Sequence, residues 1–421
     1  MYWLIETKQQ LQVFKNSGYK KAFVEVIPYN TFSHPINNIT SIIYIRPLES
    51  SKGFMLPLDH SETFNLDENV VLDILKQYNT LYCRDKKDIL HYLPLSNLWD
   101  INLPPNNLDF NLNPTQEYYI KQYPKQNNIN TIIPIVKHYQ YCEEIYNELK
   151  NNINKTPTEY DNFFNTKSSI VFNYIERRGI KVDRNKFSEH FYKISDDKCF
   201  TQYNLKTITT RPSNSFGGVN FAALSKKDNS RSSFIPQNDY FLELDISAYH
   251  PTLISFLIKY KFDNHDVHEH FAKLYNTTYQ QAKELTFKQL YGGVFDEYKD
   301  LEFFAKTEQY KTTLYKQYQN KGYVEVPISK YRIDKQYFGD IKKSKLFNYV
   351  LQATETSLNI LILWDIIKLL HKYKTKIVLY VYDSILLDID KQEEFLIEEI
   401  KQIFTKYKLN TKEKKGNDYN F

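Results

Sequence analysis

The 421 residues suffice for two or three domains, and a hydrophobic content of 42% is enough to build real cores. A formal net charge of +5 is small, so any surface that binds nucleic acid must be a local patch. Three widely spaced cysteines favour neither a disulfide framework nor a zinc site. The chain lacks a signal-peptide pattern and an apolar run of membrane-spanning length, so we expect a cytoplasmic protein with no membrane partner.

Residues 1–150 are predicted to form an α/β domain. A helix-like opening leads to three apolar runs that predict strands, AFVEVI, TSIIYIRPL and GFMLPL. Two helices are predicted later in this part, in VVLDILKQYN and VKHYQYCEEIYNELK. The Pro/Asn-rich segment between them, INLPPNNLDFNLNPTQ, is typical of a loop. This alternation of strands and helices indicates an α/β arrangement.

Residues 151–208 are predicted to be a connector. The run SSIVFNYIERRGIKVDRNKF predicts a helix that ends at Gly179, after which IKVD begins a turn and a new helix. Its Glu-Arg-Arg could meet phosphates, although a solvated helix end is the default interpretation. Residues 209–239 are polar and carry Arg211 and Arg231, which suits contacts to a nucleic-acid backbone and minor groove; a plain surface loop is equally compatible.

The run YFLELDISAYHPTLI predicts a buried strand that ends at Asp245 and then a helix with Pro251 in its first turn. A strand-end carboxylate, with the backbone of Ile246 and Ser247 exposed beside it, is suited to hold a divalent metal. The alternative is an aspartate that caps an ordinary helix.

A second carboxylate occurs in a matching context. In KIVLYVYDSILLDID two β-rich runs flank a tight hairpin with Asp383 at its tip. Two strand-end aspartates on neighbouring strands could share two Mg²⁺ ions roughly 3.5–4 Å apart, the arrangement used for in-line phosphoryl transfer. Asp388 and Asp390 are expected to be solvated or paired residues instead.

A third pattern lies on one helix face. Tyr279, Lys283, Phe287 and Tyr291 are spaced by four residues in a helix that ends at Gly292-Gly293. Such a face offers an ammonium group for phosphates and aromatic rings on which a base can stack. The alternative is a core-facing aromatic stripe with a lysine that reaches the solvent.

These segments resemble the motifs of the family A DNA polymerases. LDISAYHP resembles motif A, AKELTFKQLYGG resembles motif B, and VYDS takes the place of motif C. GYVEV, NYVLQATET, TTRPS, VNFAAL, RSSF, DVHEHFA and IERRGIKVD are similar to further family segments. The similarity covers residues 168–421 in the correct order, and jointly these motifs are highly specific.

The resemblance implies a multi-domain α+β and α/β protein, with a right-hand polymerase palm and fingers and a reduced thumb. An RNase H-like domain of the 3′-5′ exonuclease type would precede them at residues 1–150. Residues 151–208 would be the connector and reduced thumb, and residues 209–421 the palm and fingers, with the fingers at about 255–325.

The family's roles fall on residues of this chain. Asp245 and Asp383 would be catalytic and would bind two Mg²⁺ ions, which Mn²⁺ can replace. The nucleotide-binding set would comprise Lys283, Phe287, Tyr291, His268, Arg231, Tyr249 and His250. Contacts to DNA would come from Arg211, Asn220, Asn348, Gln352, Tyr382 and Ser384.

Four departures from the family are visible. Tyr279 stands where an arginine usually binds the triphosphate, so another cation must substitute. His250 replaces a glutamate beside the sugar, which leaves uncertain which residue excludes ribonucleotides. Tyr382 and Ser384 replace the motif C His and Glu, so primer contacts must differ. About 25 residues separate IKVD from TTRPS, too few for a long helical thumb.

The first domain lacks the acids of an active exonuclease. Where the family's Asp-x-Glu would fall, the strand offers Val26 and Pro28, with only Glu25 nearby. Asp88 could match a second acid, whereas Cys142–Glu143 occupies the position of the last aspartate. The domain is therefore predicted to be exonuclease-derived and inactive.

The sequence thus predicts a small replicative DNA polymerase that extends a primer on a template with deoxynucleoside triphosphates. We expect a monomer, a processivity factor or other replication proteins as partners, and an origin in a virus such as a phage or in a mobile element, hence the host cytoplasm. One alternative is a catalytically retired nucleic-acid-binding scaffold. Another is a polymerase with relaxed sugar or template choice, which His250 keeps open.

Overall fold

A computed structural model describes residues 3–108, 114–194, 196–214, 218–263 and 266–421, except for the side chains of residues 3, 291 and 292. The chain forms two compact units. Unit 1 comprises the chain up to Gly179 together with Phe200–Tyr203. Unit 2 comprises Ile180–Cys199, Asn204–Asn214 and Asn220–Phe421.

The described residues form strands and helices with the following bounds. The strands are β1 (Trp3–Leu4), β2 (Lys21–Pro28), β3 (Thr40–Pro47), β4 (Phe54–Pro57), β5 (Thr80–Cys83), β6 (Leu98–Asp100), β7 (Ile180–Val182), β8 (Lys198–Cys199), β9 (Tyr203–Asn204), β10 (Ser213–Asn214), β11 (Phe234–Ile235), β12 (Tyr240–Ile246), β13 (Tyr323–Glu325), β14 (Arg332–Asp334), β15 (Lys376–Val381), β16 (Ser384–Ile389) and β17 (Thr411–Gly416). The helices are α1 (Lys8–Asn16), α2 (Glu68–Leu75), α3 (Lys86–Tyr92), α4 (Pro114–Gln122), α5 (Ile129–Ile132), α6 (Ile135–Ile153), α7 (Glu159–Phe163), α8 (Ser169–Glu176), α9 (Arg184–His190), α10 (Tyr249–Ile258), α11 (Val267–Tyr275), α12 (Tyr279–Gly292), α13 (Glu302–Lys321), α14 (Lys335–Phe338), α15 (Lys343–Leu370) and α16 (Leu396–Lys406).

Unit 1 is built on a mixed sheet in the order β1-β4-β3-β2-β5-β6. Strands β4, β3 and β2 pair antiparallel, whereas β2, β5 and β6 are parallel. The central strand β2 is buried on both faces, since Val24 and Val26 belong to one core cluster and Phe23 and Ile27 to another. This burial explains why the AFVEVI run is almost continuously apolar. The three strands and the helices predicted for this part of the chain are confirmed. Of the predicted loop INLPPNNLDFNLNPTQ, residues 109–113 lie outside the described ranges, and its last three residues begin helix α4 instead.

A buried ionic cluster joins α3 to the end of α8. Glu176 is fully buried and accepts hydrogen bonds from Lys87 Nζ at 2.8 Å, His91 Nε2 at 2.8 Å and the Tyr203 backbone N–H at 2.6 Å. A buried carboxylate is tolerated only with such partners. The expectation that Glu-Arg-Arg is a solvated helix end is therefore wrong for its glutamate. IKVD also differs from the prediction, because it forms strand β7 before Asp183 caps α9.

Unit 2 is organised around an antiparallel sheet in the order β15-β16-β12-β17. Its longest helix in the described ranges, α15, packs against α10, α13 and α16. By length and composition alone α15 could cross a membrane, which the sequence interpretation did not anticipate. However, 78% of its most apolar 18-residue stretch is buried inside the protein, as expected for a core helix.

Candidate active site

Backbone pairing brings the two predicted aspartates to one edge of the unit 2 sheet. Strand β12 pairs antiparallel with β16, so that Asp245 lies opposite Ser384, and Asp383 occupies the preceding hairpin turn. The Ile246 N–H donates to the Asp383 carbonyl at 2.9 Å, which fixes the two segments together. The cap of α10 is Ala248 and not Asp245, so the alternative of a helix-capping aspartate is wrong.

Neither aspartate forms an ion pair with another described residue. Burial raises the pKa of Asp245, while the positive charges of Lys414, Lys283 and Lys412 act in the opposite direction. Loss of water and the neighbouring charge of Asp245 raise the pKa of Asp383. Two adjacent carboxylates without a protein cation between them provide a suitable setting for a divalent cation.

The donor set around such a cation is small. Within the described ranges, no group of three or more His, Cys, Asp or Glu side chains could hold a metal. The side chain of Ile246 is buried, so only its backbone carbonyl could serve as a ligand. Two carboxylates and one carbonyl fit Mg²⁺, because this ion usually keeps several waters or substrate oxygens.

Strand β17 adds a row of lysines that the sequence interpretation missed. It pairs with β12 so that Glu243 lies opposite Lys414 and Asp245 opposite Lys412. Lys414 Nζ donates to Glu243 at 2.7 Å, and Ser384 Oγ donates to the same carboxylate at 3.0 Å. No apolar alternation marks TKEKKG as a strand, so only its proximity to β12 in the fold reveals it.

A second missed residue is Glu355 in the middle of α15. Its side chain is 1% exposed and accepts from Arg211 Nη2 at 3.1 Å and from His250 Nε2 at 2.8 Å. The Arg211 guanidinium also lies 3.7 Å from the centre of the Tyr382 ring. The sequence offers little signal for this residue, because Glu355 lies in the polar stretch Thr354–Ser357, where a carboxylate is equally compatible with an exposed helix face.

Tyr249 and His250 differ in their surroundings. Tyr249 is 5% exposed, and its hydroxyl donates to Asn359 Oδ1 at 2.6 Å, which places this side chain in the core. The prediction that Tyr249 contacts a nucleotide therefore conflicts with its burial. His250 is only partly buried, so of the two residues it is the one that can face a bound sugar.

The predicted face of α12 is exposed. Tyr279 and Phe287 are 37% and 38% exposed, while Ala282, Thr286 and Gln289 are buried on a neighbouring face of the helix. The alternative of a core-facing aromatic stripe is therefore wrong. The side chain of Tyr291 lies outside the described part of the structure.

His268 faces this stripe. Its ring centre lies 5.6 Å from that of Tyr279 and 6.4 Å from that of Phe287. Lys283 stands between these two aromatic residues on the helix. Burial lowers the pKa of His268. The negative charge of Asp266 raises this pKa, whereas the positive charges of Lys283 and Lys412 lower it. His268, Lys283 and Lys412 therefore surround the same space.

The remaining predicted residues fall into three environments. Arg231 donates through Nε and Nη2 to the Leu224 carbonyl at 3.1 and 2.9 Å, so its guanidinium is engaged with the backbone. Asn348 and Gln352 are half-buried one turn apart on α15, and Asn220 is exposed. Asp388 accepts from two backbone N–H groups, those of Gln237 and Asn238, which confirms it as a structural residue.

A cleft of about 1150 Å³ begins just after strand β12. It is lined by Ser247 and Ala248 at the end of β12, by His268 and Tyr279, and by the turn that precedes β17. Lys406 at the end of α16, Lys408 in that turn and Lys259 just after α10 add positive charge. The cleft is therefore suited to bind an anion that extends from the end of β12 toward these lysines.

The acidic residues of unit 1 have a different setting. Glu25 is paired with Arg84, whose Nη2 lies 2.8 Å from Oε1. Glu143 accepts from Tyr44 Oη at 2.7 Å and from Arg46 Nη1 at 3.2 Å. Asp88 is paired with Lys87 at another place, next to Glu176.

Comparison with known proteins supports the fold. The chain is similar to the POL domain of Pol1 from M. smegmatis, which was solved in complex with a DNA primer-template and dNTP. The TM-score is 0.70 at 11% sequence identity, and the alignment covers 99% of each chain. No protein-family model and no curated protein matches the chain. The expected polymerase-like mixed α/β fold is thus confirmed.

Proposed function

We propose that the protein is a template-directed DNA polymerase that extends a primer 3′ end in DNA replication. The observation that carries this proposal is that Asp245 and Asp383 lie together on one sheet edge and that neither forms an ion pair with a described residue. Beside them lies an exposed helix face with a lysine between two aromatic residues. A retired scaffold would gain nothing from two adjacent carboxylates left without a protein cation.

In the proposed reaction the primer 3′-hydroxyl attacks the α-phosphate of the incoming nucleotide, and pyrophosphate leaves. Two Mg²⁺ ions, or Mn²⁺, held by Asp245, Asp383 and the Ile246 carbonyl, would neutralise charge and favour deprotonation of the hydroxyl. The chain's own contribution is positioning and electrostatics, as in other phosphoryl transfers. The backbone ladder between β12 and β16 holds the two carboxylates in place.

The nucleotide is proposed to bind along α12. Lys283 would meet the triphosphate, and Phe287 with Tyr291 would bracket the new base pair. His268 lies close enough to the stripe to donate to a phosphate. His250, held by Glu355, would stand beside the sugar, which makes it the candidate for exclusion of ribonucleotides.

The DNA duplex is proposed to contact Arg211, Asn220, Asn348, Gln352 and the hairpin residues beside Asp383. Arg211 is positioned by Glu355 and by the ring of Tyr382, so a minor-groove contact would use a preorganised guanidinium. Arg231, predicted to bind the nucleotide, is a weaker candidate for that role because its donors already meet the Leu224 carbonyl.

Unit 1 is proposed to be an RNase H-like exonuclease-type domain without activity. Its strand order and directions support the RNase H-like assignment. The pairing of Glu25 and Glu143 with arginines supports inactivity, because paired carboxylates are poor metal ligands. We retain residues 1–150, 151–208 and 209–421 as the proposed functional division. In the described part of 183–208 the longest helix is α9, which supports a reduced thumb.

We further propose that the protein is a monomer that works with a processivity factor. Its proposed location is the cytoplasm, and its proposed origin is a virus or a mobile element. The free cysteines Cys83, Cys142 and Cys199 are all buried, and they are compatible with a reducing compartment.

A primer-extension assay tests the proposed function. We expect the purified chain to extend a labelled primer on a DNA template with dNTPs and Mg²⁺. Asp245→Asn and Asp383→Asn should abolish extension while DNA binding persists, because each removes a metal ligand but no phosphate-binding cation. Asp390→Asn, at the other end of β16, is the matched control. DNA binding without extension by the wild-type protein, under Mg²⁺ and Mn²⁺, would favour the scaffold alternative.

A further inference from the structure

Two neighbouring acid–lysine pairs on the β12–β17 ladder behave differently. Glu243 lies opposite Lys414, and Asp245 lies opposite Lys412, so all four side chains emerge from the same face of the sheet. The first pair forms an ion pair of 2.7 Å. The second does not, although its register is equivalent, and Lys412 forms no ion pair with any residue in the described ranges.

The position of Lys412 places a cation beside the catalytic carboxylates. The side chain is exposed, and the chain just before it forms part of the cleft wall at Leu409 and Asn410. The Ser247 N–H donates to the Asn410 carbonyl at 2.8 Å, which continues the β12–β17 ladder past Asp245. Lys412 is therefore carried on a fixed backbone at the point where the cleft begins.

Lys283 is a second cation near His268, as Lys412 is. It lies on the exposed face of α12 beside His268, and it also forms no ion pair among the described residues. The first residue of that face is Tyr279, which offers no positive charge. Two lysines from two different elements thus lie near His268, which lines the cleft, and the described lining residues include no arginine.

We propose that Lys412 is a binding residue for the phosphate tail of the nucleotide and for the pyrophosphate product. This inference rests on the proposed polymerase function and deepens it, because it assigns the missing cation to the C-terminal strand of the sheet. Lys283 and Lys412 grip the β- and γ-phosphates. Lys406 and Lys408 lie further along the cleft and contribute only long-range charge.

The energetics favour binding of phosphate by Lys412 over pairing with Asp245. A cross-strand opposite-charge pair is worth only about 0.2–1 kcal/mol in a sheet. A triphosphate carries several negative charges at neutral pH, so its attraction for the same ammonium group exceeds that of one carboxylate. Because Lys412 is not tied to Asp245, its binding to phosphate leaves the carboxylate available for a metal.

The test compares three variants in steady-state primer extension. Lys412→Gln removes the charge, Lys412→Arg keeps it, and Lys415→Gln changes a lysine on the other face of the same strand. We expect Lys412→Gln to raise the dNTP KM about tenfold with little change in kcat, as for loss of one phosphate contact. Lys412→Arg should stay within about threefold of the wild type, and Lys415→Gln within about twofold.

Pyrophosphate supplies a second readout. The inhibition constant for pyrophosphate should rise with Lys412→Gln by a factor similar to that for KM, whereas the dissociation constant for primer-template DNA should change little. A structural defect in β17 would weaken all three properties together. Equal KM and pyrophosphate inhibition in Lys412→Gln and Lys415→Gln would overturn the assignment of Lys412 while leaving the polymerase function intact.

Absence of extension by the wild-type protein would instead refute the proposed function. Calorimetric titration with inorganic tripolyphosphate then decides the role of Lys412. Binding that is at least fivefold weaker in Lys412→Gln than in Lys415→Gln would support an anion site at this residue. Equal binding in the two variants would show that Lys412 is not part of an anion site.

Discussion

The acidic side chains of the two units differ in one respect. In unit 1, Glu25 and Glu143 are each held by an arginine, and both lie close enough to the buried Cys142 thiol to raise its pKa in addition to the effect of burial. In unit 2, Asp245 and Asp383 lie side by side without an ion pair to a described residue. Carboxylates are therefore not by themselves a sign of a divalent-ion site. What matters is whether the fold supplies its own cation to neutralise them.

The largest effect is expected when a cation is introduced next to the aspartates of unit 2. Ser384→Lys places an ammonium group opposite Asp245 on β16. We expect primer extension to fall more than about a thousandfold, about 4 kcal/mol, because the lysine would displace a divalent ion. Ser384→Ala should lose much less activity. Extension by Ser384→Lys at near wild-type rates would contradict the metal assignment.

The reverse change removes the cation from unit 1. Arg84→Met leaves the buried Glu25 without its partner, and we expect the free energy of unfolding to fall by about 3–5 kcal/mol. Urea denaturation measures this loss. The double variant Glu25→Leu/Arg84→Met should recover most of it, because apolar replacement of a buried ion pair is often neutral.

Neither of these unit 1 variants should degrade a single-stranded or mismatched 3′ end. A single freed carboxylate cannot hold two divalent ions. Degradation by the wild-type chain that is lost on Asp88→Ala, but kept on Asp383→Ala, would show that the interpretation of unit 1 is wrong.

Low pH should destabilise unit 1 by a smaller amount. His138 is buried in unit 1 with Nε2 2.8 Å from the Asn130 carbonyl, and burial lowers its pKa to about 4. Between pH 6.5 and about 4 the unfolded chain binds a proton that the folded chain does not, so stability falls as the pH falls. The loss should reach about 2 kcal/mol at pH 5.

Urea titrations at several pH values measure this slope. His138→Gln should reduce it without removing it, because burial also lowers the pKa of His34 and His60 in the same unit. An unchanged slope in His138→Gln would mean that His138 contributes nothing to acid sensitivity.

The smallest expected effect is on sugar discrimination and involves Glu355, a carboxylate of unit 2 that is paired with Arg211. Glu355→Gln weakens the anchors of both Arg211 and His250. We expect discrimination against ribonucleotides to drop about fivefold, about 1 kcal/mol, while extension with dNTPs persists. Tyr249→Phe is the control, since it removes a hydroxyl bonded to Asn359 in the core. Equal discrimination in both variants would place sugar selection elsewhere.

Much of the fold could be predicted from the sequence where residues follow a simple period. Strands β2, β12, β15 and β16 are apolar runs with turn signals, and α12 shows its exposed face by a four-residue spacing. Asp245 and Asp383 stood out because each is an aspartate at the end of such a run.

The rest could not be predicted because it depends on pairing between distant segments. Strand β17 is almost entirely charged, so nothing local distinguishes it from a solvated tail. Glu355 acquires its meaning only when α15 brings it to Arg211 and His250. Burial likewise separates Tyr249 from His250, although the two are neighbours in the chain.

The location of β17 has a consequence for solubility. It is the edge strand of its sheet, with β12 on one side only, so its outer backbone groups are available to another strand. Charged side chains on an edge strand discourage such pairing between molecules. The lysines of TKEKKG therefore protect the sheet from self-association. Replacement of several of them by valine should cause molecules to aggregate through this edge, an effect on self-association that no single replacement should produce.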